Sequence, residues 1–99
     1  MLLSKESIIN KLKSNADVLK KYGVSEIGLF GSYKTGFATD SSDIDILVDF
    51  ENDQENYDNF ISLCYLLEEM FKGKKVEVVT KKGLSPYIGP AILKQVEYV

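Results

Sequence analysis

The sequence predicts a small α/β domain in which helices pack mainly on one face of a small mixed sheet. The chain has 99 residues, which leaves room for a single domain over 1–99 with one modest core. Hydrophobic residues make up 44% of it and charged residues 27%, which is ordinary for a folded globular protein. Apolar residues recur at helical spacing in two long segments and at strand spacing in shorter segments beside them. Helices and strands therefore alternate along the chain.

The first predicted element is an amphipathic helix that begins after Ser4 and ends before Gly23. Ser4 is a favoured N-cap residue, and Gly23 is a typical helix stop. Between them, apolar residues recur at helical spacing: Ile8, Ile9, Leu12, Ala16 and Leu19. The next apolar segment, Val24–Phe30, predicts a short buried strand that leads into the pair Gly31 and Ser32.

The rest of the chain predicts two more strands and two more helices. Apolar and polar residues alternate over 43–50, which is typical of a strand with one buried face. The polar residues 51–59 are expected to form a loop that leads into a helix over 60–71, where the apolar stripe has helical spacing. A third strand is predicted over 75–80. A last short helix over 91–96 follows Pro90.

The residue types exclude several kinds of chemistry. Histidine is absent, which excludes Ser-His-Asp and Cys-His catalysis and zinc sites that need imidazole. All twelve basic residues are lysine, so this chain cannot clamp a phosphate with a bidentate arginine. Cys64 is the single cysteine, so no disulfide can form within the chain, which fits a reducing compartment.

Net charge and hydropathy set expectations for partners and location. The net charge of −3 disfavours non-specific binding to DNA or RNA, so no direct nucleic-acid partner is expected. The first residues do not resemble a signal peptide, and no run of about 18 apolar residues occurs. The sequence therefore predicts a cytoplasmic protein with no membrane partner.

Two carboxylates on one strand suggest a metal site. Asp43 and Asp45 point to the same face, because side-chain direction in a strand repeats every two residues. Like charges this close repel each other unless a cation neutralises them. Magnesium fits, since it binds carboxylate oxygens and completes its shell with water and phosphate oxygens. The alternative is an edge strand whose acidic face is simply solvated.

A glycine turn and a third acid extend this pattern. Gly31 and Ser32 follow a buried strand directly, where glycine permits close approach and the N–H groups of the turn can bind an anion. The alternative is an ordinary turn. Glu77 faces away from Val76 and Val78 on the third strand and could complete a three-acid metal site. Its alternative is an exposed position on an edge strand.

The combination of these elements resembles a known signature. Gly31 and Ser32, ten intervening residues, the Asp43-Ile-Asp45 sequence and an acid on the next strand are similar to the signature of polymerase-β-like nucleotidyltransferases. Within that superfamily the chain most resembles the minimal nucleotidyltransferase (MNT) antitoxins, which pair with HEPN-domain toxins. The likeness extends to the first helix, to the strand over 75–80 and to the ending over 92–99.

The resemblance implies a polymerase-β-like fold, ATP as substrate and two magnesium ions as cofactors. The implied catalytic residues are also the implied metal ligands: Asp43, Asp45 and Glu77. The residues implied to bind the nucleotide phosphates are Gly31, Ser32 and Lys34. Two positions depart from the family: Thr35 stands where an arginine is frequent, and Glu77 stands where the third acid is usually aspartate.

The resemblance also implies an activity and a partner. The expected reaction transfers AMP from ATP to a hydroxyl, that of a tyrosine on a cognate HEPN toxin, and thereby makes this chain an antitoxin. Three alternatives stay open: an antitoxin that masks its toxin by contact alone, a nucleotidyltransferase for a small molecule, and a structural domain without a ligand. Contact masking would use aromatic anchors, for which the candidates are Tyr33, Phe37, Tyr87 and Tyr98.

Overall fold

The computed structural model describes residues 3–99, in which helices and strands alternate as the sequence predicts. The elements are α1 (Lys5–Ser14), α2 (Ala16–Lys21), β1 (Val24–Phe30), α3 (Ser32–Thr35), β2 (Ile44–Phe50), α4 (Tyr57–Met70), β3 (Val76–Thr80), α5 (Gly89–Gln95) and β4 (Glu97–Tyr98). Within these residues every helix is too short or too polar to span a bilayer.

The predicted first helix is in fact two helices, separated at Asn15. The side-chain amide of Asn15 donates a hydrogen bond to the carbonyl of Lys11 at 2.8 Å, and its N–H donates to the carbonyl of Leu12 at 3.2 Å. Asparagine competes with the helix in this way because its side chain bonds nearby backbone groups. Ser4 caps the start of α1 as predicted, since its hydroxyl accepts the N–H of Ser7 at 3.1 Å.

Further boundaries differ from the prediction. The last helix is Gly89–Gln95 and not 91–96, and β3 begins at Val76 and not at 75. Helix α4 begins at Tyr57, inside the segment expected to be a loop, because the Asn56 side chain accepts the Asn59 N–H at 2.9 Å and caps the helix there. Strand β2 begins at Ile44, one residue later than expected. Strand β4, which follows α5 directly, was not predicted.

The four strands form one mixed sheet in the order β3-β2-β1-β4. Strand β1 is antiparallel to both of its neighbours, β2 and β4, whereas β2 and β3 are parallel. The end of β1 therefore lies beside the starts of β2 and β3. The turn after β1 and the acids at the start of β2 therefore meet at these strand ends, which form the sheet edge that carries them.

One face of the sheet carries the hydrophobic core. Helices α1, α2 and α4 supply its other side, so three helices pack on the same face and the predicted α/β architecture is confirmed. Strand residues with alternating spacing point into this core, as period-two side-chain direction requires. The buried core residues of β1 and β2 are Val24, Ile27, Leu29, Ile44, Ile46, Val48 and Phe50.

The C-terminal segment completes the sheet along the free edge of β1. Gly28 pairs with Tyr98, and the Val99 N–H donates to the Ile27 carbonyl at 2.9 Å. A side chain at Gly28 would not fit, because its Cβ would lie 2.7 Å from Val96 Cγ2. Glu97 also forms a 3.1 Å ion pair with Lys5, which connects β4 to α1.

Candidate active site

The acids predicted to act together lie on the face of the sheet opposite the core. Asp45 pairs with Phe30 on one side and with Glu77 on the other, so the three residues form a row across β1, β2 and β3. Paired residues on adjacent strands project to the same face. The carboxylates of Asp45 and Glu77 are therefore neighbours, as the sequence pattern predicts.

Asp45 lies in an electrostatic environment that disfavours its charge. Partial burial raises the pKa of its carboxyl above the ordinary value, and the negative charges of Glu77 and then Asp43 raise this pKa further. Asp43 is half-buried and precedes β2, close enough to repel Asp45. Glu77 is exposed. A bound cation would relieve the repulsion among these three acids.

The metal set of Asp43, Asp45 and Glu77 nevertheless stays a prediction. Across residues 3–99, no three acidic side chains already converge in the geometry that holds a metal ion. The chemistry of the donors fits magnesium, since all three are carboxylates and the site lies at an open sheet edge.

Gly31 holds the turn after β1 against the Asp45 carboxylate. Its backbone has φ +77° and ψ −156°, a conformation almost restricted to glycine. A Cβ at this position would collide with Asp45 Oδ2. Only glycine therefore lets the turn come this close to the acid. The close approach to a bound ligand that the sequence predicts at Gly31 stays a prediction.

A one-turn helix begins directly at Ser32. Gly31 is its N-cap, and the carbonyl of Gly31 accepts the N–H groups of Lys34 (3.1 Å) and Thr35 (3.0 Å). The first N–H groups of any helix lack an acceptor inside that helix, and they point outward from its start. Ser32 and Tyr33 carry such N–H groups, which can bind an anion.

Lys34, which is predicted to bind the nucleotide phosphates, lines a different part of the surface from the acids. Lys34 lines a groove of about 330 Å³ between α3 and the first turn of α1, together with Lys5 and Glu6. The acids of the sheet edge do not line this groove. The hydroxyl of Thr35 donates to the carbonyl of Gly31 at 3.3 Å, inside its own turn. No described contact joins either side chain to the acids.

Gln95 belongs to this neighbourhood, and the sequence analysis missed it. Its side-chain carbonyl accepts a 2.9 Å hydrogen bond from the Gly31 N–H, in a part-buried environment. The two residues are 64 positions apart, and only the pairing of β4 with β1 brings them together. Because β4 has just two residues and follows a helix, no local pattern in the sequence signals the contact.

The aromatic residues considered as interface anchors divide into two groups. Tyr33 is wrong as an anchor, because it is 3% exposed and belongs to the hydrophobic core. Phe37 and Tyr87 are 82% and 92% exposed, and Tyr98 is about half as exposed as either. Phe37 follows α3 by two residues, so it lies near the turn at Gly31 along the chain.

The fold and the arrangement of this sheet edge define a nucleotidyltransferase-type domain. A solved structure described as a minimal nucleotidyltransferase superposes on this chain with a TM-score of 0.81 at 25% identity, covering 96% of this chain and 95% of that one. The family model described as "Nucleotidyltransferase domain" matches residues 9–99. The chain therefore belongs to the nucleotidyltransferase domain family.

Two further relatives narrow the type of nucleotidyltransferase. The chain is 42% identical over 94 residues to the protein adenylyltransferase MntA of Thermococcus cleftensis, an alignment that covers 95% of this chain and 91% of that protein. It is also similar to a chain in a crystal structure of a toxin–antitoxin with AMP-PNP, with TM-score 0.67 and 26% identity over 97% of this chain and 72% of that one. By homology it is an adenylyltransferase of the MntA type.

Proposed function

We propose that this chain transfers AMP from ATP to a tyrosine hydroxyl of a cognate HEPN-domain toxin, with magnesium as cofactor, and thereby acts as an antitoxin. The observation that carries the proposal is the contact between Gly31 and Asp45. The turn to which we assign phosphate binding lies beside an acid whose negative charge is disfavoured by burial and by like-charged neighbours. The 42% identity to a protein adenylyltransferase supports a protein acceptor.

Each group at the sheet edge has a role in this proposal. Asp43, Asp45 and Glu77 hold magnesium, whose positive charge stabilises the phosphates during transfer. The turn at Gly31 and Ser32 binds the triphosphate through the Ser32 N–H and hydroxyl, since the Gly31 N–H already donates to Gln95. Lys34, two positions after Ser32, contributes positive charge.

The transfer forms one oxygen–phosphorus bond and breaks another. The acceptor oxygen forms a bond to the α-phosphorus of ATP while the bond from that phosphorus to the pyrophosphate oxygen breaks. The hydroxyl proton must go to a base. Glu77 is the alternative to a third metal ligand here: with magnesium held by Asp43 and Asp45 alone, its exposed carboxylate takes this proton. Orientation of the two reactants contributes much of the acceleration in reactions of this kind.

Exposed aromatic side chains suit a protein acceptor. Large aromatic residues are the commonest anchors at protein interfaces, and Phe37 and Tyr87 are almost fully exposed here. A crystal structure of a toxin–antitoxin similar to this chain contains AMP-PNP, an analogue of ATP. The proposed acceptor is accordingly the partner protein itself.

The experiment is intact-mass spectrometry of the co-expressed partner after incubation with this chain, ATP and magnesium. The proposal expects added AMP on one tyrosine of the partner. The double change Asp43→Asn/Asp45→Asn should abolish the added mass, since it removes two of the three metal ligands. Asp49→Asn is the matched control, because Asp49 lies on the same strand and the same sheet face without contacting Asp45 or Gly31 in the pairing.

The rival reading is an antitoxin that masks its toxin by contact alone. The observation in its favour is that Phe37 and Tyr87 are available for contact whatever the acids do. It expects a stable complex with no added mass in any variant. Loss of transfer in Asp49→Asn as well would also count against the assigned site, since the effect would then be unspecific.

A further inference from the structure

The hydrogen bond between Gly31 and Gln95 takes the place of a backbone hydrogen bond that the pairing of β1 with β4 lacks. In the pairing of β1 with β4, Leu29 lies opposite Glu97, so each step along β1 moves one residue back in the partner segment. Gly31 therefore lies opposite Gln95. Bonded pairs alternate in an antiparallel ladder, and the Val99 N–H bonds the Ile27 carbonyl. Gly31 and Gln95 consequently occupy the position of a bonded pair.

The backbone of Gln95 is not extended, so its own carbonyl cannot accept the Gly31 N–H as a strand residue would. Gln95 is the last residue of α5, and the chain becomes extended only at Val96. The side-chain carbonyl of Gln95 takes the place that a backbone carbonyl would occupy in a longer strand, at 2.9 Å from the Gly31 nitrogen. The side chain thus extends the ladder to the residue where β1 turns into α3.

We propose that Gln95 is a positioning residue for nucleotide binding, which fixes Gly31 at its positive φ by accepting the Gly31 N–H. This inference rests on the proposed function, since it assumes that the turn at Gly31 and Ser32 binds the triphosphate. Glycine has the largest backbone freedom of any residue, so the turn needs an outside restraint to keep one conformation. That conformation sets where the Ser32 N–H and hydroxyl lie relative to Asp45.

Gln95 is well placed for this role because its own position is fixed on both sides. Helix α5 precedes it, and the following residue packs against Gly28, where a Cβ would lie 2.7 Å from Val96 Cγ2. The Gly31 N–H points along the sheet towards β4, whereas the N–H groups of α3 point from the helix start. Gln95 therefore orients the turn without occupying the groups assigned to phosphate.

The test is Gln95→Met, which keeps the length of the side chain and removes the acceptor. Affinity for AMP-PNP with magnesium is measured by calorimetry, and the Gly31 and Ser32 amides are followed by nitrogen–proton NMR. We expect binding to weaken about five- to tenfold, the effect of one lost hydrogen bond, and both amide signals to shift. Lys94→Met is the matched control: it is the adjacent exposed residue of α5 and should bind as the unchanged protein does.

Gln95→Glu tests whether an accepting oxygen at this position is what fixes Gly31. Its carboxylate still accepts the N–H, so the Gly31 amide signal should stay near that of the unchanged protein, whereas Gln95→Met moves it. If Gln95→Met does not fold, Gln95→Asn gives the same comparison, because its amide is too short to reach Gly31.

The possible outcomes separate this inference from the proposed function. Unchanged or tighter AMP-PNP binding by the folded Gln95→Met protein overturns the inference, and tighter binding would mean that Gln95 competes with the nucleotide. Failure of the unchanged protein to bind AMP-PNP at all would instead refute the proposed function, and the inference with it.

Discussion

Replacing Gly31 by alanine should damage both the stability and the proposed metal site of this protein. Gly31 has φ +77° and ψ −156°, a region of backbone conformation that side chains with a Cβ rarely adopt. The added methyl group would also collide with the carboxylate of Asp45. Gly31→Ala must therefore either distort the turn or push Asp45 out of its row with Glu77.

The magnitude follows from these two contributions. Holding a residue with a Cβ in such a backbone conformation costs about 1–3 kcal/mol. Overpacking at a well-filled position adds about 1–3 kcal/mol more when neighbours have to move. The Asp45 carboxylate is the end of a side chain and can rotate away, so we expect the total loss in free energy of unfolding to be about 2–4 kcal/mol.

Gly36→Ala provides a control for backbone strain alone. Gly36 ends α3 in the left-handed region at φ +90°, and a Cβ there would meet no atom within 4 Å. Alanine in this conformation costs about 1–2 kcal/mol, with no displacement of an acid. The difference between the two alanine variants therefore measures the collision at Asp45 together with the greater backbone strain at Gly31.

Urea unfolding with and without magnesium, together with the AMP-transfer assay, distinguishes the two effects. Gly31→Ala should lose more stability than Gly36→Ala, lose the stabilisation by magnesium, and lose transfer. Gly36→Ala should keep both the magnesium effect and transfer. Equal losses of stability in the two variants, combined with normal transfer by Gly31→Ala, would refute the assigned contact between turn and acid.

Three further predictions concern other parts of the structure. Glu77→Gln should raise the free energy of unfolding without magnesium by up to about 1 kcal/mol, because it removes a like charge opposite Asp45. The same change should weaken the stabilisation by magnesium. A lower free energy of unfolding without magnesium would contradict this prediction. Gly28→Ala should push against Val96 and speed amide exchange in β4, and unchanged exchange would argue against that packing. Burial raises the pKa of the Cys64 thiol, so iodoacetamide at pH 8 should alkylate this thiol more slowly in the folded chain than in urea. The alkylation rate of the folded chain should rise at higher pH. Equal rates in the folded chain and in urea would disprove this prediction.

The sequence predicts on which face of its own strand each acid lies, because this depends only on local regularities. Asp43 and Asp45 share a face through the period-two geometry of strands, and Glu77 is placed by the opposite direction of Val76 and Val78. The pairing of Asp45 with Glu77 additionally needs the register of β2 on β3, which the family resemblance implies and local spacing does not. The site is thus predictable as a set of residues before it is predictable as a geometry.

Features that depend on helix capping or on pairing between residues distant in the sequence could not be predicted from the sequence. The break at Asn15 and the early start at Tyr57 arise from asparagine side chains, whose bonds to the backbone decide between helix and turn after the apolar pattern has been satisfied. Gln95 reaches Gly31 only through a two-residue strand. Apolar periodicity carries no information about a contact of this kind.

The separation of core and site bears on the choice between catalysis and masking. The acids lie on the face of the sheet opposite the core, so the packing of α1, α2 and α4 does not depend on them. Asp45 and its like-charged neighbours disfavour the metal-free fold, a penalty with no benefit for a protein that acts by contact alone. A contact-only antitoxin would be more stable without this cluster of like charges, and its presence therefore favours the catalytic reading.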